Sequence, residues 1–411
     1  MANSNAQSVI KLAKPSVYLD QWVWIRLARA NMGRPDTPFD LGLLESLKAA
    51  AAAGVAFPLS ATHYEETIRI TDPAQRREIA RVMAPIAMGR TLRKQSDLVR
   101  HQLLVALHQT IGRPAFRPPE QQVLGIGVHW AFGGIEGLMT VVDADGEVLE
   151  SVAPNWHRQL NQYLEFSLMA GPTDAEIPNL VKIGYIDPRY FETEVGNRLE
   201  WEKSYVEQAA RMKSREELRV ALFARELTHE HGAVLQKILN EYRLSFSSIV
   251  NGTRSHSRAQ MIAFSESVPT IRIAVDMKLE LFRNPSRLWT WNMLRDIDAL
   301  STAVPTCDVV VGDRDALHLL RRSGAPNRYG TTVTETLQDL PDLLTDLTTI
   351  ARANEIDLSD WSSIGPGEGF STTEPEPLAD VPQGAEFRLL DRSGRTVPKP
   401  QGAPRDAPTV Y

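Results

Sequence analysis

The chain has 411 residues, 43% hydrophobic and 23% charged, with a formal net charge of −6 and one cysteine, Cys307. That length allows two or three domains, or one domain with a large insertion, around a globular core. The composition excludes an intrachain disulfide framework, a cysteine-built zinc site and a uniformly basic body made for nucleic acid.

No apolar run reaches the roughly 20 residues needed to span a bilayer. The opening MANSNAQSVIKLAKPS lacks the apolar stretch of a signal peptide, so a cytoplasmic protein with no membrane partner is expected.

In chain order, Ser16–Leu19 reads as a short strand and Trp22–Ala30 has helical spacing. Asp20 sits at the junction, as an N-cap or as an acid at the end of a strand. Leu41–Ala53 reads as a helix stopped by Gly54, Val55–Leu59 as a second strand, and SATHYEETIRI as the helix after it. A βαβ start of this kind predicts a parallel sheet with helices on its faces.

Residues 73–268 read as mostly helical, with breaks at GRPAFRPPEQQ and between Gly125 and Gly137. VVDADGEVLESV has the Asp-Gly turn of a hairpin, and Tyr190–Leu244 the spacing of a long helix pair. Seven basic residues fall between Arg76 and Arg100 against two acids, either a solvated helix face or a stripe that follows phosphates. In LTHEHGAVL, His229 and His231 lie about 200° apart on a helix, which sets their imidazoles apart.

Helices are expected through Ile271–Phe282 and around Trp289–Ala303, leading into CDVVVGD. Val309–Val311 is a continuous apolar run, as in a strand buried on both faces. The helix DALHLLRRSG, closed by Gly324, and a strand near Tyr329–Val333 follow. Residues 353–411 form a proline- and glycine-rich tail expected to be flexible, with EFRLLDRSGRTV as a small hairpin within it.

The acids fall at related places. Asp20 follows the first strand, Glu65 and Glu66 begin the helix after the second, Asp296 and Asp298 sit on the helix before the third, and Asp313 follows it. Parallel strands bring such ends together, and grouped carboxylates repel unless a cation sits among them. Hard Mg2+ or Mn2+ ions take oxygen ligands, and two of them about 4 Å apart serve phosphodiester cleavage.

The stretches YLDQWVWIRLA, PLSATHYEET and RDIDALSTAVPTCDVVVGDRD together resemble the PIN domain, a metal-dependent nuclease fold. The resemblance covers about 15–72 and 269–345. It implies a PIN-like domain split between residues 1–72 and 269–352, with 73–268 as a helical insertion. The fold class expected is α/β, a parallel Rossmann-like sheet with helices on both faces, interrupted by that insertion.

By the same resemblance, Asp20, Glu66, Asp296 and Asp313 are the catalytic and metal-holding acids, with Asp298 a rival to Asp296 and Glu65 to Glu66. It implies hydrolysis by metal-activated water, with Mg2+ or Mn2+ as cofactor and RNA favoured over DNA. The insertion supplies substrate binding or homodimer contacts. The chain departs from the pattern in the length of that insertion and in Gln21 and Trp22, where many members carry a small hydroxyl or amide residue. The alternative is a non-catalytic scaffold that binds RNA or a partner protein. His63, beside the acids, either touches substrate or fills space.

Overall fold

The computed structural model describes residues 11–111, 118–133, 138–142, 154–173, 175, 177, 192–245, 262–284, 287–353 and 386–390. In chain order its elements begin with β1 (Val17–Leu19), α1 (Gln21–Asn31), α2 (Phe39–Ala52), α3 (Ala61–Ile68), α4 (Pro73–Ala87) and β2 (Arg90–Leu92). Next come α5 (Gln95–Ile111), β3 (Leu124–Ile126), α6 (Val128–Gly133), β4 (Leu138–Val142) and α7 (Pro154–Ala170). Helices α8 (Glu192–Ala210), α9 (Arg215–Arg225) and α10 (Gly232–Glu241) follow, with a π turn at Glu226–Glu230 between the last two. The remainder is α11 (Pro269–Phe282), α12 (Trp291–Thr306), β5 (Val309–Val311), α13 (Arg314–Ser323), α14 (Ala325–Tyr329), β6 (Thr332–Thr334), α15 (Leu340–Ala353) and β7 (Glu386–Leu390).

The chain is therefore mixed α/β, as its sequence suggested, but helices predominate and the parallel β-structure is small. Its parallel strands β1, β5 and β6 have three residues each, far short of a large Rossmann-like sheet. The expected strand Val55–Leu59 is not a regular strand. It makes only single parallel bridges, Ser16 to Ala56 and Leu59 to Thr91. Pro58 accounts for this, because it has no N–H to donate to a ladder.

Two compact units divide the chain. The first consists of Ala13–Arg93, Leu124–Glu192 and Thr336–Tyr411. Its core is apolar faces of α1, α2 and α4 around Val23, Trp24, Leu27, Leu47 and Ile79, all fully buried. Strands β2 and β3 pair antiparallel, Arg90 opposite Ile126. Gly125 in β3 lies under the Trp130 ring, and a Cβ there would come within 2.4 Å of it.

The expected hairpins at 141–152 and in EFRLLDRSGRTV come out differently. Strand β4 pairs antiparallel with β7, Leu138 opposite Leu390, although about 250 residues separate them. The Asp-Gly turn, the rest of both expected hairpins and most of the 353–411 tail lie outside the described residues.

The second unit consists of Met1–Leu12, Lys94–Val123 and Thr193–Glu335. Here β5 and β6 pair in parallel, Val309 opposite Thr332. The helix α11 is buried almost along its whole length and packs against α9, α12 and α13. Helix α13 ends at Gly324, whose φ of 71° closes it in the left-handed conformation. Asp313 begins that helix, so both of its ends were legible from sequence.

Burying α11 forces its charged residues into pairs. Lys278, 1% exposed, contacts Glu202 and Glu226 at 2.5 Å each. Burial alone would lower its pKa, but Glu226, Glu202 and Glu230 more than offset that and keep the ammonium charged. The π turn carries Glu226 and Glu230 to this lysine; its extra residue per turn re-aims side chains an α-helix would direct elsewhere.

Among the described residues, no helix is long and apolar enough to cross a membrane.

Candidate metal centre

The first unit brings two of the expected acids together. Asp20 follows β1 directly and caps α1 with extended backbone, its Oδ1 accepting the Gln21 N–H at 2.8 Å. Glu66 lies in the second half of α3, not at its start as the sequence suggested. It is half-buried, and its carboxyl is pushed up to about 8. Burial is the main cause, followed by the negative charges of Asp20 and Glu65, with Arg69 opposing. The neutral form of Glu66 is thus favoured, by desolvation first and by the neighbouring carboxylates second.

A set of polar contacts fixes α3 against the end of β1. His63 Nδ1 accepts the Ser60 N–H at 2.9 Å, which leaves Nε2 to carry the proton and donate to the Leu19 carbonyl at 2.7 Å. Burial holds this imidazole at about 4, against the Leu19 hydrogen bond, so it is neutral at physiological pH. His63 thereby joins the residue before Asp20 to the helix of Glu66. The buried Tyr18 hydroxyl adds a contact with Ser60 Oγ at 3.0 Å.

Gln21 makes a third link, its Nε2 donating to Thr67 Oγ1 at 2.9 Å. Its Oε1 is buried with no hydrogen-bond partner. Sequence reading did not single out Gln21 or Thr67 as site residues, and left His63 undecided. The signal for His63 was Ser60-x-x-His63, a capping box with histidine where Glu or Gln is usual.

The other two expected acids belong to the second unit. Asp313 caps α13, its Oδ1 accepting the Asp315 N–H at 2.8 Å and the Ala316 N–H at 3.4 Å. Asp296 is half-buried on α12. Its rival Asp298 faces elsewhere and is committed. Both its oxygens take Arg198, at 2.8 and 3.0 Å, and Arg198 also reaches Glu230 at 2.8 Å. A carboxylate held by both oxygens in this way is a poor choice for a metal ligand.

Among the described residues, no group of three or more His, Cys, Asp or Glu side chains is arranged to hold a metal ion. The oxygen donors of Asp20 and Glu66 suit Mg2+ or Mn2+, and the unpartnered Gln21 Oε1 suits the water shell such ions keep.

Two other expectations meet the structure here. Arg76 and Arg90 in the basic stripe are buried and donate to main-chain carbonyls, Arg76 to Ile70, Ala170 and Pro172, Arg90 to Val55. Arg93 lies 4.5 Å from the Trp130 ring centroid, and Arg100 pairs with Glu241 at 2.7 Å. Four of the seven basic residues thus have partners within the fold. In the HEH stretch, His229 stacks on Trp201 while His231 is lowered to about 4, by burial first, with Glu230 opposing. The two imidazoles serve different neighbourhoods.

Comparison with family models, with curated proteins and with solved structures finds no match to this chain.

Proposed function

We propose that this protein is a PIN-like, Mg2+- or Mn2+-dependent nuclease, with RNA favoured over DNA, whose centre is built on Asp20 and Glu66. The observation that supports it is the half-buried Glu66 carboxyl, raised to about 8 by burial first and then by the negative charges of Asp20 and Glu65. Asp296 and Asp313 are the further acids in this reading, on the strength of the sequence resemblance.

A bound Mg2+ or Mn2+ ion supplies a water made more acidic and positive charge for the phosphate under attack. Asp20 and Glu66 would hold the ion through their carboxylate oxygens, with the buried Gln21 Oε1 as a further acceptor, and Glu66 in its ionised form would be the proton acceptor for the water the ion activates. His63, neutral and anchored at both nitrogens, acts as a positioning residue for the two carboxylates.

The test is cleavage of labelled single-stranded RNA and DNA with Mn2+ or Mg2+, with EDTA and Asp20→Asn as controls. Metal-dependent cleavage that the substitution lowers by about a hundredfold or more supports the reading. A folded protein that cuts neither strand in either metal overturns it in favour of a non-catalytic scaffold.

A further inference from the structure

The second unit concentrates positive charge at one place on its surface. Glu280, on the buried helix α11, is 2% exposed and receives three guanidinium groups. Arg215 Nη2 lies 2.7 Å and Arg283 Nη1 3.8 Å from its Oε1, and Arg322 Nη2 lies 2.9 Å from its Oε2. The three side chains come from the start of α9, the end of α11 and the end of α13. They remain 49%, 45% and 52% exposed.

Neutralising one carboxylate needs one arginine. Among the described residues three guanidiniums share this one carboxylate, in a chain whose net charge is −6. Each guanidinium carries five N–H donors, far more than one carboxylate accepts. Glu280 therefore acts as a buried anchor that gathers three forks and leaves most of their donors facing water.

Helix α13 presents exposed charges of both signs, Asp313 and Asp315 beside Arg314, Arg321 and Arg322. Arg314, His318, Arg321 and Arg322 are exposed, while Ala316, Leu317, Leu319 and Leu320 are buried. Glu335 pairs with Arg321, and Asp315 with Arg287 at 3.0 Å. From Asp313 to Arg322 the helix rises about 13 Å. That length matches roughly four nucleotides at ~3.4 Å per nucleotide along a helical strand.

We propose that Arg215, Arg283 and Arg322, gathered on Glu280, bind the phosphates of a nucleic-acid strand that runs along α13 past Asp313. The proposal deepens the nuclease reading and rests on it for the class of ligand. Planar guanidinium forks match phosphate oxygens two at a time, and they contact the backbone without reading bases.

The experiment measures binding of a labelled single-stranded RNA and the DNA of the same sequence to the full chain, in EDTA, across a salt series. Wild type is expected to bind, with a salt slope of about −0.7 per phosphate contacted. The triple variant Arg215→Gln, Arg283→Gln, Arg322→Gln should bind at least about tenfold more weakly, with a slope shallower by about 2. Arg211→Gln, an exposed substitution elsewhere in the unit, should bind as wild type does.

The triple variant leaves Glu280 buried without a cation, so loss of folding is checked by circular dichroism. If it unfolds, Arg322→Gln alone decides, with a slope shallower by about 0.7 against an unchanged slope for Arg322→Lys.

Absence of binding by wild type, an unchanged slope in Arg322→Gln, or equal competition by poly-glutamate overturns the proposal. Binding that depends on these arginines, in a protein that never cleaves, leaves this surface standing and sinks the nuclease reading. Cleavage that needs Asp20 but ignores these arginines does the reverse.

Discussion

At the residue scale, Glu66 sits where its own ionisation is disfavoured. Its folded pKa of about 8 lies above the ordinary 4.5, so between those values the folded protein holds a proton that the unfolded chain releases. Stability from this group is present at low pH and declines as pH rises through that window. Glu66→Gln, which cannot ionise, should raise the thermal midpoint near pH 8.5 by about 3–6 °C and have little effect near pH 4.5. Mn2+ should raise the wild-type midpoint at pH 8.5 and leave that of Glu66→Gln nearly unchanged. Equal pH profiles for the two proteins would mean that Glu66 is better solvated than its surroundings indicate.

Asp20 and Asp313 were readable because they sit at element ends, where local signals are strong. Asp20 and Asp313 each cap a helix that follows a strand, which their neighbours in sequence announce. Asp298 was not separable from Asp296 without structure, since its partner Arg198 is 100 residues away. His63 was equally opaque: its acceptor is a main-chain carbonyl, and no side chain at Leu19 advertises it.

At the element scale, α11 shows what burial of a charged helix demands. Lys278 is enclosed by carboxylates from α8 and the π turn. Replacing it with Met removes the cation, strands Glu226 in an apolar setting and leaves Glu202 with Arg225, at 3.3 Å. Urea unfolding of Lys278→Met should show a loss of about 3–5 kcal/mol. Converting all three residues to apolar ones of similar size should recover most of that loss, because the desolvation of every charge disappears together. A single substitution that costs nothing would show that water reaches the cluster.

Strand partners are the element-level feature hardest to read from sequence. The Asp-Gly turn in VVDADGEVLESV and the stretch EFRLLDRSGRTV each suggested a strand folding back on its own neighbour. Pairing β4 with β7 is a choice made by packing at long range, as is the reduction of Val55–Leu59 to two bridges around Pro58.

For the whole molecule, the four acids are shared between the units, Asp20 and Glu66 in one, Asp296 and Asp313 in the other. Each unit is itself assembled from three separate stretches of chain. Buried titratable groups in both units set opposing limits on pH. His63, His129 and His231 are lowered by burial to about 4, so below their ordinary 6.5 the unfolded chain takes up protons that the folded one refuses. Glu66 and Glu165, raised mainly by burial to about 8 and about 7, favour the folded state at lower pH instead. Without metal, the thermal midpoint should therefore peak between about pH 4.5 and 6.5 and fall on either side. A midpoint that climbs steadily to pH 9 would contradict this balance.

By itself the sequence determined the helices α1, α2 and α13, the strand β5, the stop at Gly324, and the acids worth watching. Those features rest on periodicity and on hydrogen bonds within one turn of chain, so neighbouring residues carry all the information. Tertiary structure alone decided that Asp298 belongs to Arg198, that Arg76 and Arg90 serve buried carbonyls, that His63 joins Leu19 to α3, and that three arginines meet on Glu280. Each of those outcomes depends on which distant group packing brings within about 3 Å, where a hydrogen bond forms and its strength no longer follows from residue type.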